Sequence, residues 1–510
     1  MTGLARAVAR HYRAGFIDSA HALCPDMVAA APDDPAVRHL AAVVAAAAGA
    51  EAEALAHAER ARAGVTDDDP DLDALLGHLL RRAGRAAEAE APLRRAAHAR
   101  PPAALDLAWV LHALDRPAEG AAVLEDAPEA AAAPDRLNAL GVMRLAAGAP
   151  EAAAACLRDA LVARPDDAVL SANLAGALIH LGAFEAARDH ADAALARAPD
   201  DAPAHCHRAL ASLGLGDYRA GFAEWAWRWR NPHYAGRYRR IDLPPWDGGP
   251  VQGGRLWVRG EEGFGDHIQF SRFVPAAARA AGAPVSLSCS DALHRLFAGI
   301  PGVGTVRPLE DPPPDAACQV PLMTLAQWLD VTRDAVPPPD PAILSPAADA
   351  PPVPAADAPR VGMVWGGRRR PRDRGCAFRP LADVLRRHGV ALVSLQKGGR
   401  VAEAAGAADV TFLGGALRDF ADTAAVMGAL DLVVAVDSAP LHLAGALGVP
   451  AVGLMLAGAD WRWETAGPAT PWYPSVRLVR QPAPGDWPGA FTALDAVLAG
   501  WRAGAGLFAG

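Results

Sequence analysis

Two patterns of apolar and polar positions divide the chain. In the first half, small apolar residues recur at helical spacing, as at Ala153, Ala160, Ala187 and Ala194, and glycines interrupt them at regular intervals. From Arg255 onward, short apolar runs such as RLWV and VSLS alternate with helical segments instead. The first pattern predicts pairs of antiparallel helices, and the second predicts parallel strands connected by helices.

The interrupting glycines define a repeat. They are Gly15, Gly49, Gly84, Gly148, Gly182 and Gly216. Successive members lie 34, 35, 64, 34 and 34 residues apart, and the long step leaves room for one irregular copy near Arg116. A period of about 34 residues is the tetratricopeptide spacing. We therefore expect an α-solenoid of six or seven helix pairs over residues 1–232, with a groove that holds a peptide or protein partner.

The second half predicts two Rossmann-like lobes. The N-terminal lobe covers residues 233–336, and the C-terminal lobe covers 360–510 and opens with RVGMVW. A Pro-rich segment at 337–359 is the predicted linker, because such segments are stiff and partly extended. In open α/β sheets, ligands bind outside the carboxyl ends of the strands, so we expect the site in the cleft between the lobes.

Composition excludes several classes of function. The chain has 49 Lys and Arg against 58 Asp and Glu, a formal charge of −9. It therefore lacks the general positive field that binding to nucleic acid or anionic lipid requires. Its six cysteines are scattered without a CxxC pair, which is typical of a reducing compartment. With no signal peptide or membrane span recognisable in the sequence, we expect a cytoplasmic protein without nucleic-acid or membrane partners.

The loop GEEGFGD, after the strand RLWV, holds the first candidate group. Gly263 and Gly265 let the backbone approach a ligand, and Asp266 stands at a helix start. A carboxylate there is either a helix cap or a general base that takes a proton from an attacking hydroxyl. The residues by themselves leave both interpretations open.

The second loop, GGRRRPRDRG, is strongly basic in an acidic chain. Its arginines are Arg368, Arg369, Arg370, Arg372 and Arg374. They form either a solvated face or a clamp for a diphosphate, since guanidinium groups bind phosphate oxygens bidentately. Within this cluster, Arg374 is the residue that we expect to act.

The third loop, VDSAPLHLAGALG, follows the strand DLVVAV. A helix is predicted to begin at Ala439 or Pro440, where free amide groups attract phosphate. Asp437 and His442 would then face a sugar or ribose.

Further candidates lie near strand ends. Lys397, after ALVSLQ, is the single lysine of the chain. Either the site requires a compact ammonium group at this position, or the lysine has been retained by chance. His267, Gln396 and Trp461 are candidate contacts for the nucleotide base or the acceptor. No metal-ligand spacing is present, and no DxD motif stands at the relevant strand end.

Residues 255–481 resemble the catalytic region of bacterial proteins that join tetratricopeptide repeats to a GT-B glycosyltransferase. The region is similar to lipopolysaccharide heptosyltransferases and, more distantly, to O-linked N-acetylglucosamine transferase, which also carries the repeats. The motifs that carry this resemblance are GEEGFGDHIQF, SLQKGG, LRDFADTAAVMGALDLVVAVDSAPLHLAGALGVP, DWRW and PWYP.

The resemblance implies an inverting, metal-independent and cofactor-free transfer from a nucleotide-activated sugar. Asp266 matches the catalytic base of heptosyltransferases, and Lys397 corresponds loosely to a lysine near the diphosphate in the N-acetylglucosamine enzyme. The heptosyltransferase motif that touches donor phosphate and sugar matches Asp437, Ser438, Ala439 and His442. Because repeat-bearing relatives include flagellin glycosyltransferases, the resemblance implies a protein acceptor, with flagellin as the first candidate.

One segment departs from the family pattern. Relatives commonly have a sequence close to N-D-R-N-R-S after the basic loop, whereas here Gly375, Cys376 and Ala377 follow Arg374. The second arginine and the serine are missing, and Arg379 is a candidate substitute. This departure leaves open a repeat scaffold whose transferase half is inactive. Because repeats bind extended chains generally, transfer to a polysaccharide or lipid acceptor is also left open.

Overall fold

Helices make up the first half of the chain, and two parallel sheets organise the second. The computed structural model describes residues 3–66, 68–127, 133–235, 241–261, 263–309, 311–367 and 372–507. The chain forms two compact units, Met1–Asn173 and Leu174–Gly510. The division falls inside one helix, so the last helix pairs of the repeat belong to the same unit as the sheets.

Paired helices form the repeat array. Those that lie in the first unit or begin in it are α1 Gly3–Arg13, α2 Ile17–Ala30, α3 Pro35–Ala47, α4 Glu51–Ala63, α5 Pro70–Arg82, α6 Ala86–Ala96, α7 Pro101–Ala113, α8 Pro117–Asp126, α9 Pro134–Ala146, α10 Pro150–Ala163 and α11 Ala168–His180. The second unit continues with α12 Phe184–Leu195, α13 Ala202–Gly214, α14 Tyr218–Glu224 and α15 Pro232–Ala235. In the described part of the chain, α1–α2 through α13–α14 form seven pairs, within the expected number.

A residue in the left-handed backbone conformation lies between the two helices of each pair. The six glycines that define the repeat have φ angles between 71° and 86°, a region that is costly for residues with a Cβ. In the irregular copy, Asp115 takes this conformation instead, with φ of 64°, immediately before Arg116. The 64-residue step in the glycine pattern therefore contains a complete helix pair, α7–α8, in which Asp115 instead of a glycine lies between the two helices.

The first sheet has four parallel strands in the order β3-β2-β1-β4. Its strands are β1 Arg255–Arg259, β2 Val285–Cys289, β3 Val303–Pro308 and β4 Ala316–Pro321. The accompanying helices are α16 Phe264–Phe270, α17 Val274–Ala281, α18 His294–Phe297 and α19 Leu325–Trp328. In the register, Leu256 of β1 pairs with Val285 of β2 and with Cys318 of β4.

The second sheet has six parallel strands in the order β10-β9-β8-β5-β6-β7. Its strands are β5 Arg360–Val364, β6 Ala391–Ser394, β7 Val410–Phe412, β8 Leu432–Val436, β9 Ala451–Met455 and β10 Val476–Arg480. Its helices are α20 Phe378–Arg387, α21 Phe420–Gly428, α22 Ala439–Ala446 and α23 Trp487–Arg502. The strand order reverses between β5 and β8, and ligands bind at such switch points in open α/β sheets.

An aromatic cluster connects the last helix pair of the repeat to both sheets. It consists of Tyr218 and Phe222 of α14, Phe270 of α16, and Trp461 and Trp472 from the second lobe. The ring centroids of Phe222 lie 6.0 Å from Phe270 and 5.8 Å from Trp461. The indole nitrogen of Trp472 donates a hydrogen bond to the Tyr218 hydroxyl at 3.0 Å. These contacts fix α14 against the lobes.

The Pro-rich segment packs along both lobes. Ile343 and Leu344 are buried in the shared apolar core. The amide of Ser345 donates to the carbonyl of Leu296 in the first lobe, and the amide of Ala347 donates to that of Ala421 in the second. The segment is thus anchored at both sides. No helix in the described ranges is both long and apolar enough to cross a membrane.

Candidate active site

Two helix starts meet at the carboxyl ends of the sheets. Helix α16 follows β1, helix α22 follows β8, and the two pack against each other. Gly265 of α16 lies so close to His442 of α22 that an added Cβ would come 2.7 Å from the imidazole Cδ2. The first and third predicted loops are therefore in contact, and glycine at position 265 permits the approach.

Asp266 lies in the first turn of α16. Its Oδ2 accepts a hydrogen bond from the Gly263 amide at 3.0 Å, and its Oδ1 accepts one from Arg462 Nη2 at 2.5 Å. The side chain is 20% exposed. The carboxylate thus caps the helix start, as one prediction had it, and it also remains accessible, as a general base must be.

Arg462 is a site residue that the sequence analysis did not single out. Its Nη1 donates to Asp460 Oδ1 at 2.8 Å, and its Nε donates to Gln269 Oε1 at 2.8 Å. The guanidinium carbon lies 4.4 Å from the ring centre of Trp461. Burial opposes the charge of Arg462, but Asp460 and Asp266 outweigh burial and raise its pKa, so it stays protonated. The DWRW motif was the signal that could have led to it.

Asp437 and Arg374 form an ion pair between the loops that follow β8 and β5. Asp437 Oδ2 accepts from Arg374 Nη1 at 2.6 Å, and the carboxylate is almost fully buried. Burial by itself would raise the pKa of Asp437, but Arg374 and His442 hold it below its ordinary value. The pair places a fixed positive group at the switch point of the second sheet.

His442 is a neutral hydrogen-bonding group. Its Nδ1 lies 2.9 Å from the hydroxyl of Tyr473, and its ring centre is 4.9 Å from that of Trp463. Burial lowers the pKa of His442 to about 4, although Asp437 acts in the opposite direction. At neutral pH the imidazole therefore contributes hydrogen bonding rather than charge.

Ser438 and Ala439 form the start of α22. Ser438 has extended backbone angles and is the cap residue, and its hydroxyl donates to the Val436 carbonyl at 2.8 Å. The amide of His442 makes a hydrogen bond of the first turn, to the Ser438 carbonyl at 3.3 Å. The helix begins where the sequence predicted it, in the geometry that suits a phosphate.

Lys397 and Gln396 lie after β6, on the other side of β5 from Asp437. Lys397 is exposed, and its ammonium donates to the Leu417 carbonyl at 2.5 Å. The side-chain oxygen of Gln396 accepts hydrogen bonds from the amides of Trp365 and Gly366, at 3.1 and 2.7 Å. Gln396 thus supports the loop after β5. Within the described ranges, neither side chain forms a hydrogen bond or an ion pair with Asp266.

Trp461 and His267 pack inside the second unit. Trp461 is 3% exposed and lies in the aromatic cluster. His267 is 1% exposed, its Nδ1 lies 3.0 Å from the Gly263 carbonyl, and its ring fills the space beside Gly260. Burial lowers the pKa of His267, so this side chain is neutral. These positions give both residues packing contacts in place of the expected contact with base or acceptor.

The basic loop is only partly described. Arg368, Arg369 and Arg370 lie outside the described residues, and Nη1 of Arg372 donates to the carbonyl oxygen of His180 at 2.5 Å. In the described part of the chain, no group of three or more His, Cys, Asp or Glu residues is arranged to hold a metal ion.

The segment after Arg374, which departs from the family pattern, lies beside a cation that the sequence did not indicate. An added Cβ at Gly375 would overlap the guanidinium of Arg400, which donates to Asp373 at 3.2 Å. Cys376 points into the core of the lobe, whereas Arg379 is exposed on α20. Arg400 is therefore an arginine beside the segment from which the family residues are missing, and the role of Arg379 stays a prediction.

Replacing Gly265 with alanine is expected to lower kcat about 100-fold. The new Cβ would force the first loop away from His442, and a displacement of about 1 Å in an active site can reduce the rate to this extent. Turnover and circular dichroism would separate a local shift from unfolding.

Gly428→Ala is the matched control. Gly428 lies exposed at the end of α21, and no atom within 4 Å would meet an added Cβ. Equal turnover of the Gly265→Ala variant and the control would show that the contact between the loops does not matter.

Two family models each match one segment of the chain. The family model for glycosyltransferase family 9 (heptosyltransferase) matches residues 374–484, and the tetratricopeptide repeat model matches residues 144–213. Asp437, His442 and Arg462 fall within the first of these segments, while Asp266 precedes it. The chain therefore carries tetratricopeptide repeats and a glycosyltransferase family 9 domain.

Individual known proteins have low sequence identity to this chain. Protein FlbA of Caulobacter vibrioides is 29% identical over 427 residues, which cover 75% of this chain and 70% of that protein. The solved Cut9–Hcn1 hetero-tetramer of the APC/C is 18% identical, with a TM-score of 0.37, over 45% of this chain and 46% of that one. A tetratricopeptide repeat protein of Parabacteroides merdae is 12% identical, with a TM-score of 0.35, over 43% of this chain and 89% of its own.

Proposed function

We propose that this chain, a glycosyltransferase by its family 9 domain, moves a sugar from a nucleotide-activated donor to a Ser or Thr hydroxyl of a protein acceptor. The transfer is inverting and independent of metal ions, and the repeat array holds the acceptor. The observation that carries this proposal is the meeting of α16 and α22, which brings an accessible carboxylate, Asp266, next to the start of a helix at the sheet switch point.

In the proposed reaction, Asp266 takes the proton from the acceptor hydroxyl. The hydroxyl oxygen forms a bond to the anomeric carbon from the face opposite the nucleotide. The bond between that carbon and the phosphate oxygen breaks, and its electron pair leaves with the nucleotide. Because one displacement occurs, the anomeric configuration is inverted.

Fixed positive groups support departure of the nucleotide without a divalent ion. Arg374 is charged and held by Asp437 at 2.6 Å, and the amides at the start of α22 lie on the neighbouring strand end. Preorganised donors of this kind stabilise charge that develops on a leaving group. We assign the donor phosphates to this region, with Lys397 of the next loop as a further cation at the same sheet edge.

The repeat array offers hydrogen-bonding groups for a polypeptide. Asn138 of α9 and Asn173 of α11 stand 35 residues apart at corresponding positions of successive helix pairs, and their side-chain amides are hydrogen-bonded at 2.8 Å. Amide groups can both donate to and accept from a peptide backbone. Flagellin is the acceptor that we propose first, on the resemblance to repeat-bearing flagellin glycosyltransferases.

The double variant Asn138→Ala/Asn173→Ala is expected to raise the KM for the protein acceptor about 30-fold, with the KM for the donor unchanged. Each lost hydrogen bond is worth about 1 kcal/mol, a factor of about five, and two such bonds are lost. Arg158→Ala, at an exposed position of α10, serves as the control. A KM for acceptor equal to that of the control would remove these asparagines from acceptor binding.

The proposed function is tested by incubating the protein with flagellin, EDTA and sugars linked to UDP, ADP, GDP or CMP. The proposal predicts a glycosyl mass increment on a Ser or Thr of flagellin. Label found in saccharide or lipid instead would establish the alternative acceptor class. Failure of UDP, ADP, GDP and CMP to bind in calorimetry would support the inactive scaffold.

A further inference from the structure

We propose that Arg462 is the positioning residue of the catalytic base, Asp266. This inference rests on the proposed function. It adds that the base, carried by the first lobe, is aligned by a guanidinium carried by the second lobe. The two residues are 196 positions apart in sequence, and their side chains are 2.5 Å apart in the structure.

The Arg462 guanidinium is held independently of Asp266. Asp460 and Gln269 each accept a hydrogen bond from it at 2.8 Å, and the ring of Trp461 supports its face. Gln269 and Trp461 are themselves buried. An arginine fixed by these three partners can act as a rigid donor, since little side-chain freedom remains to be lost when it binds Asp266.

This rigid donor determines the orientation of the carboxylate. Oδ1 of Asp266 accepts from Arg462, and Oδ2 accepts from the Gly263 amide at 3.0 Å. Each carboxylate oxygen has a second lone pair, so both contacts can persist while an acceptor hydroxyl binds. The directions left open to that hydroxyl are therefore set by Arg462 and Gly263 together.

The arrangement connects the proposed donor site on the second lobe to the proposed base on the first. The proposed donor site lies on the second lobe, at Asp437 and the start of α22, and Asp266 lies on the first lobe. Because Arg462 spans the two, the base is correctly aligned only while the lobes are in contact. A change in lobe packing would disorient Asp266 without changing any group that touches the donor.

Arg462 also changes the charge around Asp266. Among the described residues, the titratable groups close to Asp266 are Arg462, Asp460, His442, Tyr473 and His267. The burial of His442 and His267 keeps both rings neutral, so Arg462 is the cation in this set. Replacing Arg462 with glutamine removes this positive charge, whereas lysine keeps it.

The test compares Arg462→Gln and Arg462→Lys with the wild type, using whichever UDP-, ADP-, GDP- or CMP-linked sugar the wild type consumes fastest. Arg462→Gln is expected to lower kcat about 50-fold, with the KM for the donor changed less than about twofold. Arg462→Lys should restore only part of kcat, because it keeps the charge but loses the fork-shaped contact.

Two further variants keep the outcome interpretable. In an Asp266→Asn background, Arg462→Gln should cause no additional loss, since both changes act through one group. Arg502→Gln, at an exposed position of α23, should behave as wild type. If Arg462→Gln does not fold, the kcat of Arg462→Lys and its KM for the donor decide the question.

The inference and the proposed function fail in different ways. A wild-type protein that consumes none of the donors would overturn the proposed function. An active wild type, with Arg462 variants of unchanged kcat, would overturn the role of Arg462 while the proposed function stands. Further loss in the double variant would show that Arg462 acts on something other than Asp266.

Discussion

Replacing Asp266 with asparagine is expected to lower kcat about 10³-fold, the usual worth of a general base. Asparagine keeps the size of the side chain and can still accept from Arg462, but it cannot take the hydroxyl proton. The contacts that we assign to the donor are made by the other lobe. The affinity for nucleotide should therefore change by less than about twofold.

The measurement combines nucleotide release during turnover with calorimetry of UDP, ADP, GDP and CMP. Asp291→Asn is the matched control, because Asp291 lies in the same lobe and its side chain is 87% exposed. Wild-type turnover by Asp266→Asn would remove Asp266 as the base. Loss of nucleotide affinity in Asp266→Asn would instead assign this carboxylate to donor binding.

Replacing Arg228 with methionine is expected to lower the free energy of unfolding by about 4 kcal/mol. Arg228 follows α14, and its guanidinium donates two hydrogen bonds of 2.9 Å to Glu261, in the loop before α16. The two side chains are only 2% and 1% exposed. Without the arginine, a buried carboxylate would remain with the Met323 amide as its donor, at 2.9 Å.

Denaturant unfolding measures this effect, and a second variant tests its cause. The double variant Arg228→Met/Glu261→Met should recover much of the loss, because no unpaired charge is then buried. Arg219→Ala is the control. It breaks an ion pair with Asp330 in which both side chains are about two-thirds exposed, so stability should change little. An Arg228→Met variant as stable as this control would contradict the stabilising effect of the buried ion pair between Arg228 and Glu261.

The fold class could be predicted because its signals are local. The glycine period and the mostly apolar central strands are each visible in a single stretch of sequence. The strands that were not predicted, β3, β4 and β7, are all edge strands of their sheets. Edge strands are less buried, and β3 accordingly has no fully buried residue, so its sequence lacks an apolar run.

The candidate site was predictable where a motif follows a strand. Asp266, Asp437 and the start of α22 were singled out from that position and from the family resemblance, and the structure places the loop of Asp266 against α22. Arg462 and Arg400 were not, because their roles depend on which segments meet in three dimensions.

Position after a strand also does not define the direction of a side chain. Gln396 supports a neighbouring loop through hydrogen bonds to its backbone amides, although it lies at a strand end. Trp461 joins the aromatic core, although its motif adjoins the cleft. Sequence position placed both residues at the correct edge of the sheet without showing what they contact.

The most direct test of the account is a crystal structure of the protein with the nucleotide that binds most tightly among UDP, ADP, GDP and CMP. The account predicts phosphate oxygens within about 3.5 Å of the amides at the start of α22, with Asp266 on the opposite wall of the same cleft. Phosphates bound at another surface, away from both α22 and Asp266, would contradict it.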